Sequence, residues 1–277
     1  MKKILAISGG IDSMCLLHMF KDDSDVVVAH FNHGTRPSSD DDEAFVKSFA
    51  LKYNLPFYSK RVDLGEGVSE ADARAARYDF LNELARKLDG KIYTAHHLND
   101  LFESITINFT RGTGWRGLTP FNNNDIVHPF LQFTKTEIYR YAAANDIIFR
   151  QDPTNVESGY LRNRLRPNIA TFITEQPDLA EKLNNFYLAQ CVLRKEIEKL
   201  SAELLPKAST YKRAWFKDLD DDVAEELLRF CLINHQISVT HPQLQDFLHA
   251  IRAFNSGKQF NLPKDKLVRF NKTEFML

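Results

Sequence analysis

One stretch constrains this chain more than any other: the apolar run Leu5-Ala6-Ile7 passes through Ser8-Gly9-Gly10-Ile11-Asp12-Ser13 into a second apolar run, Met14-Cys15-Leu16-Leu17. The pattern predicts a strand, a tight glycine turn and a helix in succession. Glycines let the backbone approach a polyphosphate, while Ser8, Ser13 and the free amides of the helix start supply donors. The lysine and spacing of a G-x-x-x-x-G-K-S/T loop are absent, and a carboxylate, Asp12, stands among the donors instead. Beside phosphates such a group makes sense as a holder of magnesium, because a divalent ion reverses the repulsion. A Gly-Gly pair alone reads as a turn; its place between strand and helix carries the phosphate-loop reading.

The rest of the first half repeats the alternation. Short apolar or β-branched runs at 4–7, 26–31, 56–62 and 91–95 are separated by stretches long enough for crossover helices, which predicts a parallel sheet covered on both faces. Residues 40–53 read as one crossover helix with an acidic first turn. Residues 69–88 read as another, opening on a capping-box-like Ser69-x-x-Asp72, with Ala75, Tyr78, Leu81, Ala85 and Leu88 at helical spacing. A further helix is expected at 134–145, and Asp152-Pro153-Thr154-Asn155 reads as a loop. Residues 178–205 describe a long amphipathic helix. Helices at 222–235 and 241–255 and strand-like pieces around Phe260 and Val268 follow it. The expected architecture is α/β: a parallel-sheet, Rossmann-like nucleotide-binding domain over 1–170, a helical connector over 171–205, and a small α+β C-terminal domain over 206–277.

Composition excludes several classes. A chain of 277 residues that is 43% hydrophobic, with 36 Lys+Arg against 37 Asp+Glu, is neither disordered nor a wholly basic nucleic-acid coat. A local basic surface remains compatible with that balance. Cys15, Cys191 and Cys231 stand alone, without a C-x-x-C pair for zinc, an iron–sulfur cluster or dithiol chemistry, which suits a reducing compartment. No stretch approaches the roughly 20 apolar residues of a membrane span, so a cytoplasmic protein with no membrane partner is expected.

Further motifs follow the glycine loop in order. His30-Phe31-Asn32-His33-Gly34 closes the second strand, Glu70-Ala71-Asp72-Ala73-Arg74-Ala75-Ala76-Arg77-Tyr78 opens a helix, and Thr94-Ala95-His96-His97-Leu98-Asn99-Asp100 closes another strand. Arg111-Gly112-Thr113-Gly114-Trp115-Arg116-Gly117-Leu118, His128-Pro129-Phe130-Leu131, and Asp152-Pro153-Thr154-Asn155 with Arg162-Asn163-Arg164-Leu165-Arg166 come next. This ordered set resembles the N-type ATP pyrophosphatases and, among them, the tRNA(Ile)-lysidine synthetases, over almost all of residues 4–166. Ser256-Gly257-Lys258-Gln259-Phe260-Asn261-Leu262-Pro263 is similar, more weakly, to a pattern in that family's first C-terminal domain. The resemblance implies a reaction on the wobble cytidine of an isoleucine tRNA with a CAU anticodon. ATP adenylates O2 of the base, and the ε-amine of free L-lysine displaces AMP at C2. It also leans towards a homodimer.

Roles follow residue by residue. Ser8, Gly9, Gly10, Ile11, Asp12 and Ser13, with His30, His33 and His96, are expected at ATP. Asp12 and Asp100, each just after a strand end, are expected to converge at the sheet's carboxyl edge and share magnesium, with Glu103 on the same helical face as Asp100. Either Arg74 or Arg77 could stabilise the adenylation transition state, and family similarity favours Arg77. The catalytic set is thus Asp12, Arg77 and Asp100. Arg111, Arg162, Arg164 and Arg166, with Arg150, read either as a tRNA phosphate surface or as ordinary exposed arginines. The spacing of His30, His33, His96 and His97 matches no standard structural zinc site. Asp40-Asp41-Asp42-Glu43 reads as a solvated helix start. Asn99, Leu101 and Ser104 depart from the family's acid, amide and threonine, which bears on metal geometry. Two rival readings are a tRNA thiolase, which would need cysteine chemistry, and a non-catalytic tRNA-binding derivative.

Overall fold

Along β1 (Lys2–Ala6) successive side chains turn to opposite faces, and that two-residue period sorts Ile4 and Leu5 into different cores. The computed structural model describes residues 1–34, 39–63, 68–150, 161–176, 178–263 and 265–277, without the side chains of Glu70, Leu161, Arg162 and Asn163. The expected loop at Asp152-Pro153-Thr154-Asn155 and the side chain of Arg162 lie outside the described residues. Contacts divide the chain into two units, Met1–Leu188 and Ala189–Leu277.

In the first unit β2 (Val26–Asn32), β3 (Phe57–Arg61), β4 (Gly90–Tyr93) and the short β5 (Ile126–Val127) join β1 in an all-parallel sheet of order β3-β2-β1-β4-β5. β2 is buried along its whole length, as a central strand covered on both faces should be. On one face Leu5, Ile7 and Val28 pack against Met14 and Leu17 of α1 (Ile11–Phe20), Val46 of α2 (Ser39–Lys52) and Ile138 of α5 (Lys135–Ala144). On the other, Ile4, Val27, Ala29 and Ile92 meet Phe80, Leu81 and Leu84 of α3 (Glu70–Leu88). α4 (Leu98–Thr110) and α6 (Leu161–Glu175) complete the unit, α6 carrying Pro167 within it. The sheet order reverses between β1 and β4, and ligands of open α/β sheets bind at the carboxyl ends of strands flanking such a point.

The expected solvated helix start holds at Asp40 and Asp41, which are exposed, and needs correcting at Asp42 and Glu43. Asp42 is buried and pairs with Arg150, Asp40 takes two hydrogen bonds from Arg61, and Glu43 accepts from Ser59 and Asn32. Those carboxylates fasten α2 to the strand ends.

The 178–205 helix is α7 (Leu179–Leu204), whose course includes the division between the units. In the second unit β6 (Thr210–Lys212), the single turn α8 (Ala214–Lys217), α9 (Asp221–Asn234), α10 (His241–Ala253), β7 (Gln259–Leu262), β8 (Lys266–Phe270) and β9 (Glu274–Met276) follow. The strands form an antiparallel sheet of order β6-β9-β8-β7 around Tyr211, Phe216, Phe247 and Phe275. β6 and β9, three residues each, are too short to leave a periodic signal in the sequence. No helix among the described residues is long and apolar enough to cross a membrane.

Arg213, only 3% exposed, donates to the carbonyls of Ile251 (2.7 Å), Phe254 (2.6 Å) and Asn271 (3.0 Å), with its guanidinium 5.5 Å from the Phe270 ring centre. One cation thereby satisfies three carbonyls from two separate segments, the end of α10 and the turn at Asn271. Replacing it strands buried acceptors, so Arg213→Met is expected to destabilise the second unit by about 3 kcal/mol. Urea unfolding followed through Trp215 in a Trp115→Phe background measures this; a midpoint within error of the parent would refute it.

Candidate active site

The loop after β1 is built as the sequence requires. Gly9 has φ +95°, a region side chains rarely adopt, so the backbone conformation itself calls for glycine there. Ser13 Oγ accepts from the amides of Ser8 and Gly9, both at 3.2 Å, and donates to the Gly10 carbonyl at 2.9 Å. The loop is therefore curled before any ligand arrives. Gly10 caps α1 without a side-chain hydrogen bond, so the first amides of that helix keep their positive ends for an anion. The Arg150 amide donates to the Gly9 carbonyl at 3.0 Å while its guanidinium pairs with Asp42 at 2.9 Å. Arg150 thus braces the loop, and its charge belongs to that brace.

A second turn faces the loop. His97 caps α4: its ring accepts from the Asp100 amide, and its own amide donates to Asp100 Oδ2 at 3.0 Å. His97 Nε2 then lies 3.5 Å from Asp100 Oδ2 and 3.9 Å from Asp12 Oδ1, joining the two acids expected at the sheet edge. Burial lowers the His97 pKa, so the ring lies neutral between them. Asp12 Oδ1 is also held by Lys135 Nζ at 2.5 Å, at the start of α5. Asn99, one of the departures from the family pattern, is buried and accepts from the Lys135 amide at 2.9 Å, so its neutral side chain docks α5 on α4. Glu103 is buried with Arg166 Nε 3.2 Å from its carboxylate.

The histidines divide into support and lining. His30, 3% exposed, bonds through Nδ1 to the Ile7 carbonyl at 2.8 Å and so ties β2 to the entrance of the loop. His33 stands edge-on to Phe31, and its buried Nδ1 has no hydrogen-bond partner among the described residues. The Thr94 hydroxyl contacts both His96 Nδ1 and His128 Nδ1 at 2.7 Å, and Phe121 lies 4.9 Å from each ring. A hydroxyl has one proton, so Thr94 can donate to only one of the two imidazoles and at least one Nδ1 must carry a proton of its own to bond it. Burial pulls His96 down to about 3 and His128 to about 4, and the charges of Arg74 and Arg77 reach this cluster from α3. Both guanidinium groups also lie over the Tyr78 ring, at 4.7 Å and 5.5 Å.

The loop, Asp12 and Asp100 therefore meet, and His96 lies on the same edge. Arg111 and Arg164 are exposed, whereas Arg166 is engaged by Glu103. Sequence reasoning missed Lys135, and it placed Thr94, His97 and His128 in motifs without their partners. Only His97 carried a local signal, the Asp three residues on. Among the described residues no group of three or more His, Cys, Asp or Glu forms a metal cage. Magnesium is commonly held by one or two carboxylates together with substrate phosphates, a donor set that Asp12 and Asp100 fit. Burial raises the thiols of Cys15 and Cys231 to about 11, which disfavours sulfur transfer through either.

Comparison with known proteins follows the same lines. A family model described as a PP-loop domain, ATP_bind_3, matches residues 1–173. The tRNA(Ile)-lysidine synthase of Clostridium acetobutylicum is 30% identical over 95% of this chain and 62% of its own length. That of Petrotoga mobilis is 40% identical over 61% of this chain and 58% of its own. The chain thus spans about three fifths of the length of these relatives. Among solved structures, a U34-tRNA thiolase from Methanococcus maripaludis shares the fold, with TM-score 0.57 and 16% identity over 69% of this chain and 72% of that one.

The lowered histidines have a measurable consequence. As pH falls from about 6.5 towards 4, the unfolded chain takes up protons that folded His96 and His128 refuse, so this pair lowers stability progressively in that window. His128→Gln should reduce the slope of unfolding free energy by up to about 1.4 kcal/mol per pH unit there. Urea titrations at pH 4.5 to 6.5 read it, and parallel slopes for both proteins would show that His128 does not titrate abnormally.

Proposed function

The chain belongs to the PP-loop (ATP_bind_3) family, and from that premise we propose that it ligates free lysine to C2 of the wobble cytidine of isoleucine tRNA with a CAU anticodon, consuming ATP and releasing AMP and pyrophosphate. One observation carries the reading: a phosphate loop with an uncapped helix start meets two carboxylates, Asp12 and Asp100, at the switch point of the sheet. The names of the curated relatives support the choice of substrate.

Each role has a physical basis. The loop from Ser8 to Ser13 holds the phosphates of ATP, and His96, with the orphaned Nδ1 of His33, lines the space beside them. Asp12 and Asp100 would hold magnesium, which supplies charge neutralisation for the departing pyrophosphate. Glu103 could complete that set only if Arg166 moves off its carboxylate. Arg77 lies close enough to His33 and His96 to lower their pKa values, near the site where charge develops on the adenylated base. Arg111, Arg162, Arg164 and Arg166 are proposed to meet tRNA phosphates, with Arg166 the least available because of Glu103.

Purified protein given Mg-ATP, lysine and the CAU-anticodon tRNA should form AMP and add the mass of lysine, less water, to one cytidine. Absence of both products would overturn the proposal. Asp12→Asn and Asp100→Asn are each expected to slow AMP formation by about 100-fold or more while tRNA affinity stays within about twofold. Full activity in either variant removes that residue from the catalytic set. Arg162→Ala with Arg164→Ala should weaken tRNA binding and flatten its log–log salt dependence by about 1 to 2. An unchanged slope would return both to ordinary surface residues.

A further inference from the structure

Lys135 is the third charged group at the mouth of the phosphate loop, and nothing in the local sequence announces it. It occupies the first position of α5, where the helix dipole favours an acid and a cation is disfavoured. The capping box of Thr134 and Glu137 holds the helix start, so Lys135 is not needed to cap it. Its amide donates to Asn99 Oδ1 of α4, and two residues earlier the Phe133 carbonyl accepts from the Leu98 amide, both at 2.9 Å, so this stretch of chain is fixed to α4. From that anchor the stem passes the Tyr139 ring, 5.2 Å from the ammonium, and Nζ reaches Asp12 Oδ1 at 2.5 Å across 123 residues of sequence. The two side chains are 29% and 32% exposed, partly shielded from water, so their attraction exceeds that of an open surface pair.

The ammonium sits on one oxygen of the carboxylate that would hold a metal ion. A divalent ion on the same carboxylate takes up the negative charge that holds the ammonium and repels it, so magnesium at Asp12 favours release of Lys135. An ammonium on a flexible four-carbon stem, with three freely rotating donors, can swing the short distance from a carboxylate to a neighbouring phosphate. We propose that Lys135 is a phosphate-binding residue that holds Asp12 in the nucleotide-free site and transfers its charge to the polyphosphate of ATP when metal arrives. This rests on the ATP-dependent reading above.

The test measures binding of a fluorescent, non-hydrolysable ATP analogue across a magnesium titration, with melting temperature as a folding control. Lys135→Met is expected to lower the half-saturating magnesium concentration about fivefold, because the competing cation is gone, and to weaken metal-free nucleotide binding about tenfold. Lys135→Arg should recover most of the metal-free affinity. Asp12→Asn frees the ammonium, so metal-free affinity should rise about tenfold, and that gain should vanish in Asp12→Asn with Lys135→Met. A Lys135→Met protein that melts like the parent and shows unchanged magnesium dependence and metal-free affinity overturns the inference. If that protein does not fold, Asp12→Asn without a gain in metal-free affinity does so. Nucleotide binding is scored apart from lysine transfer, so a failed transfer reaction overturns the earlier reading alone.

Discussion

A carboxylate set among phosphate-binding amides is the constraint on which the first unit depends. Asp12 lies at the start of α1, where the helix dipole welcomes its charge and where polyphosphate would be repelled by it. The protein answers with Lys135 from α5 and the neutral His97 ring from α4, so the starts of three helices converge on one oxygen. That convergence requires α4 and α5 to be docked together, which explains why a buried Asn99 accepts the Lys135 amide. The departure from the family's acid at this position thus reads as a packing choice, and the charge of the site is left to Asp12 and Asp100.

The same logic recurs around the site. Glu103 is met by Arg166, Asp42 by Arg150, and Asp40 by Arg61. The buried acids Glu103 and Asp42 are each matched by a cation from elsewhere in the chain, as desolvation demands, while Asp40 with Arg61 is an exposed pair. A formal charge of -1 is therefore the sum of many local neutralisations and says little about partners. In the second unit cations do a different job: Arg213 and Arg252 spread their donors over backbone carbonyls and join segments that no regular ladder connects.

Much of this was legible in advance. The strand–turn–helix at residues 2–20, the parallel alternation, the capped start of α3 at Ser69 and the long α7 depend on local periodicity and turn chemistry, which a sequence displays directly. The convergence of Asp12 and Asp100 followed from both acids standing just past strand ends. Illegible were the three-residue strands β6 and β9, the two-residue β5, and the helix α6, whose Pro167 and basic start mask its periodicity. The acidic start of α2 looked like a solvated face because its partners, Arg61 and Arg150, stand far away in the chain.

By itself the sequence determined the loop, the order of the motifs and hence the family, because glycine turns, helix caps and strand periods are set by neighbours within a few residues. Only the tertiary structure decided which charges meet. The Lys135–Asp12 contact spans 123 residues and the Arg166–Glu103 contact 63, and the Thr94 hydroxyl shared by His96 and His128 exists only once the turns after β4 and β5 lie side by side. Ionic partners and proton positions depend on distance and burial, and neither is defined until the sheet has closed its order.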